Sequence, residues 1–223
     1  MADRRRPVKK PNAASGRRSA FGSRTGFEVG APLRAEFYDR DPEAVARELL
    51  GCVLRVVQDG MTVSGRIIET EAYLGPHDAA CHAVAGRTKR TWHLFGPPGT
   101  AYVYFVYGMH WCVNAVTREE GFGSAVLIRA LEPMEGIENM RVRRPKARDD
   151  SQLCDGPGKL CAALGIDRAM DGAMLTGGSA ITIHSGENVP DARVLVGPRV
   201  GISKAVDWPL RFRVAEPVDG GDR

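Results

Sequence analysis

The chain has 223 residues and a net charge of +4, with 43% apolar and 26% charged residues. That length supports one sizeable core and is short for two, and no apolar run approaches a membrane span. Residues 1–34 carry nine basic residues against two acidic, and the remainder 22 against 25, so the body cannot hold a polyanion by bulk charge and would need a local basic face.

Residues 1–33 are rich in Arg, Lys, Ser, Gly and Pro and read as a disordered basic tail. It is either a solvated end or a polyanion tether. Arg4 to Lys10 also fits a nuclear signal, and the Arg/Ser bias a transit peptide. No apolar stretch follows the N-terminal charges, which predicts no secretion signal.

Order is expected from about Ala35. Asp41-Pro42-Glu43 reads as an N-cap, an N1 proline and a first-turn acid, opening a helix that stops at Gly51. Residues 52–57 and 61–73 read as strands joined by an Asp59-Gly60 hairpin turn. Residues 75–100 read as loop. Residues 102–107 and 110–117 read as a second pair of strands about Gly108-Met109, and 125–131 as another strand. A helix is predicted across 134–142 after Glu132-Pro133, then a charged loop over 143–151. Asp155-Gly156-Pro157 opens a short helix, 159–164, closed by Gly165. Short strands at 180–184 and 194–196 complete an α/β (α+β) domain built on hairpins rather than a doubly wound sheet.

The five cysteines have no regular spacing, and no CxxC occurs. Cys81 and His82 are adjacent rather than at ligand spacing, and His77 does not complete a set. Reduced, buried thiols are expected, with neither a disulfide framework nor a metal.

Strand alternation puts Ile67, Glu69, Glu71 and Tyr73 on one face and Ile68, Thr70 and Ala72 on the other. A solvated face would look the same, but Glu71 and Tyr73 lie near Gly75-Pro76, at an element end where sites are often built. The stretch from Tyr102 to Trp111 is dense in aromatics. Tyr102 and Tyr104 share one face, and Phe105 and Tyr107 the other. A packed hairpin explains Phe105, but Tyr107 at the tip suits a wedge filling the gap left by an extruded base. Arg129 lies in an otherwise apolar strand and needs a carboxylate, in an ion pair with a buried glutamate or with Glu71 at a reacting centre. Asn114 is placed to read a base edge. The turn Asp155-Gly156-Pro157-Gly158-Lys159 offers backbone N–H groups and a cation for a phosphate, though such a turn is often only a cap, and it is no Walker loop.

Several segments in one order resemble the alkyladenine (3-methyladenine/methylpurine) DNA glycosylase family. They are Arg66-Ile67-Ile68-Glu69-Thr70-Glu71-Ala72-Tyr73-Leu74-Gly75-Pro76, then His82, then the run from Pro98 to Met109, then Leu127-Ile128-Arg129-Ala130-Leu131-Glu132-Pro133, then Gly156-Pro157-Gly158-Lys159-Leu160-Cys161. The resemblance covers roughly residues 35–215. It implies a single compact domain, 34–218, around a curved antiparallel sheet with a protruding hairpin, leaving 219–223 as a disordered end. It implies a monofunctional glycosylase acting on flipped-out alkylated or deaminated purines in double-stranded DNA, with no cofactor, as a monomer of cytoplasm or nucleoid (nucleus in a eukaryote). It casts Glu71 as general base, with Arg129 helping to position the water and hold the carboxylate ionised. Tyr73, His82 and Tyr104 become the base pocket, Asn114 the residue that crowds out guanine, and Tyr107 the intercalating wedge. Arg87, Arg90 and Lys159 are candidates for the DNA backbone. The chain departs from the family at Lys89 to His93: relatives often carry Thr-Pro-Arg-Asn after the glycine-arginine pair, whereas Gly86-Arg87-Thr88 here runs into Lys89-Arg90-Thr91, and bulk at Trp92-His93 is unexpected.

Two rivals remain open on the residues alone. One is a binding module for distorted nucleic acid that does not need Glu71. The other is a small-substrate hydrolase using Glu69 and Glu71, which a shared strand face sets roughly 7 Å apart.

Overall fold

The structure is a computed structural model and describes residues 29–215. The basic tail up to residue 28 and the end from 216 lie outside the described residues. Backbone pairing begins before Ala35, because the edge strand near His184 offers free partners. Gly30 N–H donates to Ser185 O, and Leu33 N–H to Ile183 O.

Eight antiparallel strands form one sheet. They are β1 Val53–Gln58, β2 Met61–Tyr73, β3 Ala101–Val106, β4 His110–Thr117, β5 Ser124–Glu135, β6 Ile181–His184, β7 Val194–Gly197 and β8 Arg211–Val214. The order across the sheet is β3-β4-β5-β2-β1-β6. One flank of β2 pairs with β5 along its length, while the other pairs first with β1 and then, at Glu69 to Glu71, with β8. This long central strand therefore carries its C-terminal half between β5 and β8, and that half becomes the floor of the site.

Local chemistry sets the elements. Asp59 (φ 53°) and Gly60 (φ 73°) close the β1–β2 hairpin as a two-residue turn, matching the Asp-Gly signal. Helix α1 is the single turn Ala35–Tyr38, and α2 is Pro42–Glu48. Asp41 caps α2 by accepting from Glu43 N–H, a contact worth about 1 kcal/mol. The Thr70 hydroxyl donates to Ala46 O at 2.8 Å and pins α2 to β2. Helix α4, Pro157–Leu164, buries Leu160, Cys161, Ala163 and Leu164 and ends at left-handed Gly165. The main core lies on the α2/α4 side of the sheet, and a smaller cluster of Cys81, Ala83, Leu94, Phe95, Tyr102, Val116 and Ala125 backs the opposite side. All five cysteines are buried and unpaired. Among the described residues no helix is long and apolar enough to cross a membrane.

Four expectations need correction. Strand β5 runs past residue 131 and through Pro133, so the next helix, α3 (Ile137–Arg143), starts after Gly136 rather than at Met134. Pro133 lacks an N–H, and it sits beside a register shift where the ladder is already broken. A second register shift lies between Ile67 and Glu69. It sends fully buried Ile67 into the main core with Ala72 and separates it from the glutamates, which simple alternation had grouped with it. Phe105 is 43% exposed, with its ring against that of Trp111, so it is a surface residue. Strand β8 was not anticipated, because Arg211-Phe212-Arg213-Val214 is too short and charged to stand out.

Candidate active site

Beyond the register shift, Glu69, Glu71 and Tyr73 project from β2 on the side away from the main core. Arg129 reaches them from the neighbouring strand β5. Its Nε lies 2.7 Å from Glu69 Oε1 and its Nη1 3.2 Å from Glu71 Oε2. Arg129 therefore pairs with a partly buried glutamate and with Glu71 at once.

Glu71 is fully buried, and both of its carboxylate oxygens have polar partners. Oε1 accepts from Val200 N–H at 2.7 Å, and Oε2 accepts from the Tyr73 hydroxyl at 3.1 Å. Burial pushes its carboxyl above the ordinary glutamate value, and the Arg129 charge, the Val200 N–H and the Tyr73 hydroxyl offset only part of that. The balance runs opposite to what the arginine contact alone implies. Glu69 goes the other way. Burial raises it too, but hydrogen bonds from Arg211 and Arg129 outweigh burial and hold it low.

Above this floor opens a cleft of about 880 Å³. Tyr73, Arg129 and Val200, the three groups that bind Glu71, all line it. The carboxylate itself lies directly behind them. Tyr102 and Tyr104 stack at 5.2 Å, and the His82 ring meets Tyr104 edge-on at 4.7 Å. His82 Nδ1 lies 2.9 Å from the Tyr102 hydroxyl. Burial, helped by the Arg90 charge, lowers the His82 pKa, so the ring is neutral at physiological pH. Asn114 lines the cleft at 4% exposure, and its Nδ2 donates to Tyr102 O at 3.0 Å, which fixes the amide.

Tyr107 caps the β3–β4 hairpin at the cleft mouth, 77% exposed and with φ 52°. The turn spans Tyr107, Gly108 and Met109, one residue longer than the predicted Gly108-Met109 turn. Arg90 lines the same mouth, 5.7 Å over the Tyr104 ring. Lys159 lines it from the first turn of α4 and pairs with Asp155 at 2.9 Å. Gly158 allows that turn to approach β4, since a Cβ there would fall 2.9 Å from His110 Cβ. Arg87 does not line the cleft and instead stacks on exposed Trp92 at 3.9 Å. The Lys89 to His93 departure is thus accommodated at the rim. Trp92 faces outward under Arg87, and His93 anchors the turn Trp92–Phe95 through Asp171 at 2.9 Å.

The structure brings together Glu71, Arg129, Tyr73, His82, Tyr104, Asn114, Tyr107, Arg90 and Lys159, and leaves Arg87 aside. Sequence reading missed the wall contributed by Val200 to Lys204. Its contact with Glu71 is a backbone N–H, which no residue-type pattern marks.

The methylpurine-DNA glycosylase (MPG) family model matches residues 36–217. A protein of Burkholderia lata named "Putative 3-methyladenine DNA glycosylase" is 46% identical over 83% of this chain and 88% of its own length. Proteins of the same name from Rhodopseudomonas palustris (50% identical, 82% of this chain, 87% of that protein) and Carboxydothermus hydrogenoformans (47%, 81% and 93%) match equally broadly. With most of the described domain inside that match and an aromatic cleft over a buried carboxylate, the chain belongs to the methylpurine-DNA glycosylase family.

Proposed function

We propose that this protein is a monofunctional DNA glycosylase, of the 3-methyladenine glycosylase II type. It hydrolyses the N-glycosidic bond of alkylated or deaminated purines flipped out of double-stranded DNA, a class spanning 3-methyladenine, 7-methylguanine, hypoxanthine and ethenoadenine. The observation that carries the reading is the buried Glu71 carboxylate, held by Arg129, Tyr73 and Val200 behind the wall of an aromatic cleft.

The extruded purine stacks among Tyr73, His82 and Tyr104, and Tyr107 fills the gap it leaves. Extrusion costs a few kcal/mol and is easiest for weakly paired damaged bases. Alkylation at N3 or N7 makes the purine cationic, which an electron-rich aromatic pocket favours. As the C1′–N bond breaks, its electron pair leaves with the purine. Ionised Glu71 stabilises the positive C1′ and takes a proton from the water whose oxygen bonds to C1′. The products are the free base and an abasic site. Asn114 disfavours guanine by crowding its amino group, and Arg90 and Lys159 contact the backbone, with Arg87 a further candidate at the rim. No cofactor or metal is required. The enzyme works as a monomer in cytoplasm or nucleoid, or in the nucleus of a eukaryote.

Glu69 is a poor catalytic partner for a small-substrate hydrolase, because Arg129 and Arg211 both hold it at 2.7 Å. Single-turnover release of free base from a duplex bearing one methylated purine or hypoxanthine tests the proposal. Glu71→Gln should lose release while keeping duplex affinity. Near-normal excision by that variant sinks the assignment, and parent protein that binds the duplex without releasing base supports a binding module.

A further inference from the structure

The segment between β7 and β8 forms one wall of the cleft, yet it has little backbone support. Among the described residues, 198–204 makes no backbone–backbone hydrogen bond to any other part of the chain. The Val200 N–H on Glu71 is nonetheless held at 2.7 Å. Its neighbour Arg199 supplies the anchor. The Arg199 guanidinium and the Asp78 carboxylate form a two-pronged ion pair with both side chains fully buried. Arg199 Nη1 also donates to Ala72 O at 3.0 Å, and the guanidinium carbon lies 4.7 Å over the Tyr73 ring. Asp78 accepts in turn from Leu74 N–H (3.1 Å) and Ala80 N–H (3.0 Å). One pair thus ties together the end of β2, the turn after it and the segment that covers Glu71.

We propose that Asp78 and Arg199 are positioning residues for base excision, clamping the Val200 N–H onto Glu71 and so fixing the orientation and ionisation of that carboxylate. The proposal rests on the reading of Glu71 as the base. Two buried charges are a poor device for stability, because well-packed apolar residues of similar volume often serve as well or better. What the pair provides is geometry at a place where the backbone provides none. The groups facing Glu71 are Glu69 and Tyr73 on β2, Arg129 on β5, Cys112 on β4 and Arg199 itself. Asp78 lies behind Arg199, and Arg211 of β8 lies beyond Glu69. Releasing the clamp removes the N–H that favours the ionised carboxylate, and Arg199→Met also removes a cation facing it, while Glu69, Tyr73, Arg129 and Cys112 stay in place. Glu71 then protonates at higher pH.

The test is single-turnover base release from a methylated-purine duplex across about pH 5 to 9, with duplex affinity and melting temperature measured alongside. Asp78→Asn, Arg199→Lys and the double variant Asp78→Leu/Arg199→Met are compared with the parent. The apolar double variant leaves no lone buried charge, so it carries the test where the single variants fail to fold. Release is expected to fall about tenfold near pH 6 and to approach the parent rate at the alkaline end, an acid limb moved up by about one pH unit. Arg199→Lys should move it less, and duplex affinity should hold. A folded variant with the parent profile overturns the proposal. So does a rate lowered by one factor at every pH, which is what a purely structural role produces. Glu71→Gln run in parallel separates the two readings. Near-normal release there removes Glu71 as the base, whereas an inactive Glu71→Gln beside pair variants of parent profile removes only the clamp.

Discussion

Glu69 and Glu71 leave the same face of β2 two residues apart and share Arg129, yet their surroundings push them in opposite directions. Glu69 lies where β2 meets β8, keeps some exposure and is matched by two arginines, so its charge is well satisfied. Glu71 is fully buried and has one shared arginine and two neutral donors, so burial dominates. On the proposed function, the difference is what separates an ion pair from a base. Two cations stabilise a carboxylate so fully that it has little tendency to accept a proton, while a buried carboxylate with partial compensation keeps that tendency.

The largest test of this contrast is in rate. Glu71→Gln should lower single-turnover excision by about a thousandfold, the middle of the range for a lost general base, whereas Glu69→Gln should cost less than about tenfold through looser placement of Arg129. Equal losses in the two variants would erase the distinction. Tyr107→Ala should come next. Its side chain is mostly exposed, so the fold should melt unchanged. Excision should drop about tenfold, in step with a few kcal/mol of base extrusion that the wedge helps to offset. Because Tyr107 is not among the groups that bind either carboxylate, that loss should be the same at every pH. A shifted acid limb in Tyr107→Ala would show that the hairpin reports on Glu71 after all.

How much of this was legible from sequence follows the range of the interaction. The β1–β2 turn, the α2 cap and the Gly165 stop are local, and Asp59-Gly60, Asp41-Pro42-Glu43 and Gly165 mark them directly. The family of the chain and the members of the cleft came from long motifs in register, from Arg66 to Pro76 above all. Periodicity failed at Ile67 because a register shift is set by the partner strand and leaves no period of its own. The proline signal failed at Pro133 because a register shift, again set by the partner strand, had already broken the ladder there. The burial of Glu71 depends on Val200, 129 residues away, acting through a backbone group, and the Asp78–Arg199 pair spans a similar gap. Such contacts are made by the fold and have no spacing to read.

The smallest expected effect is in stability, and its sign carries the contrast. Glu69 has a folded pKa below its unfolded value of about 4.3, so its contribution is present above that value and is lost as pH falls through the lower folded one. Glu71 has a folded pKa above the same reference. Its ionisation costs nothing below the unfolded value, costs more as pH rises, and costs fully above the folded value. At neutral pH, Glu69→Gln should therefore lower stability by about 1–2 kcal/mol, a few degrees in melting temperature for a domain of this size. Glu71→Gln should leave the melting temperature level or raise it by a degree or two, about 0.5 kcal/mol, because Gln still accepts from Val200 and carries no buried charge. Melting both variants near pH 7.5 and again near pH 4 checks the signs, since each difference from the parent should shrink at the acid end. Equal destabilisation by both variants at neutral pH would mean that Arg129, Tyr73 and Val200 satisfy Glu71 as fully as two arginines satisfy Glu69. The carboxylate behind the cleft would then be one more structural ion pair.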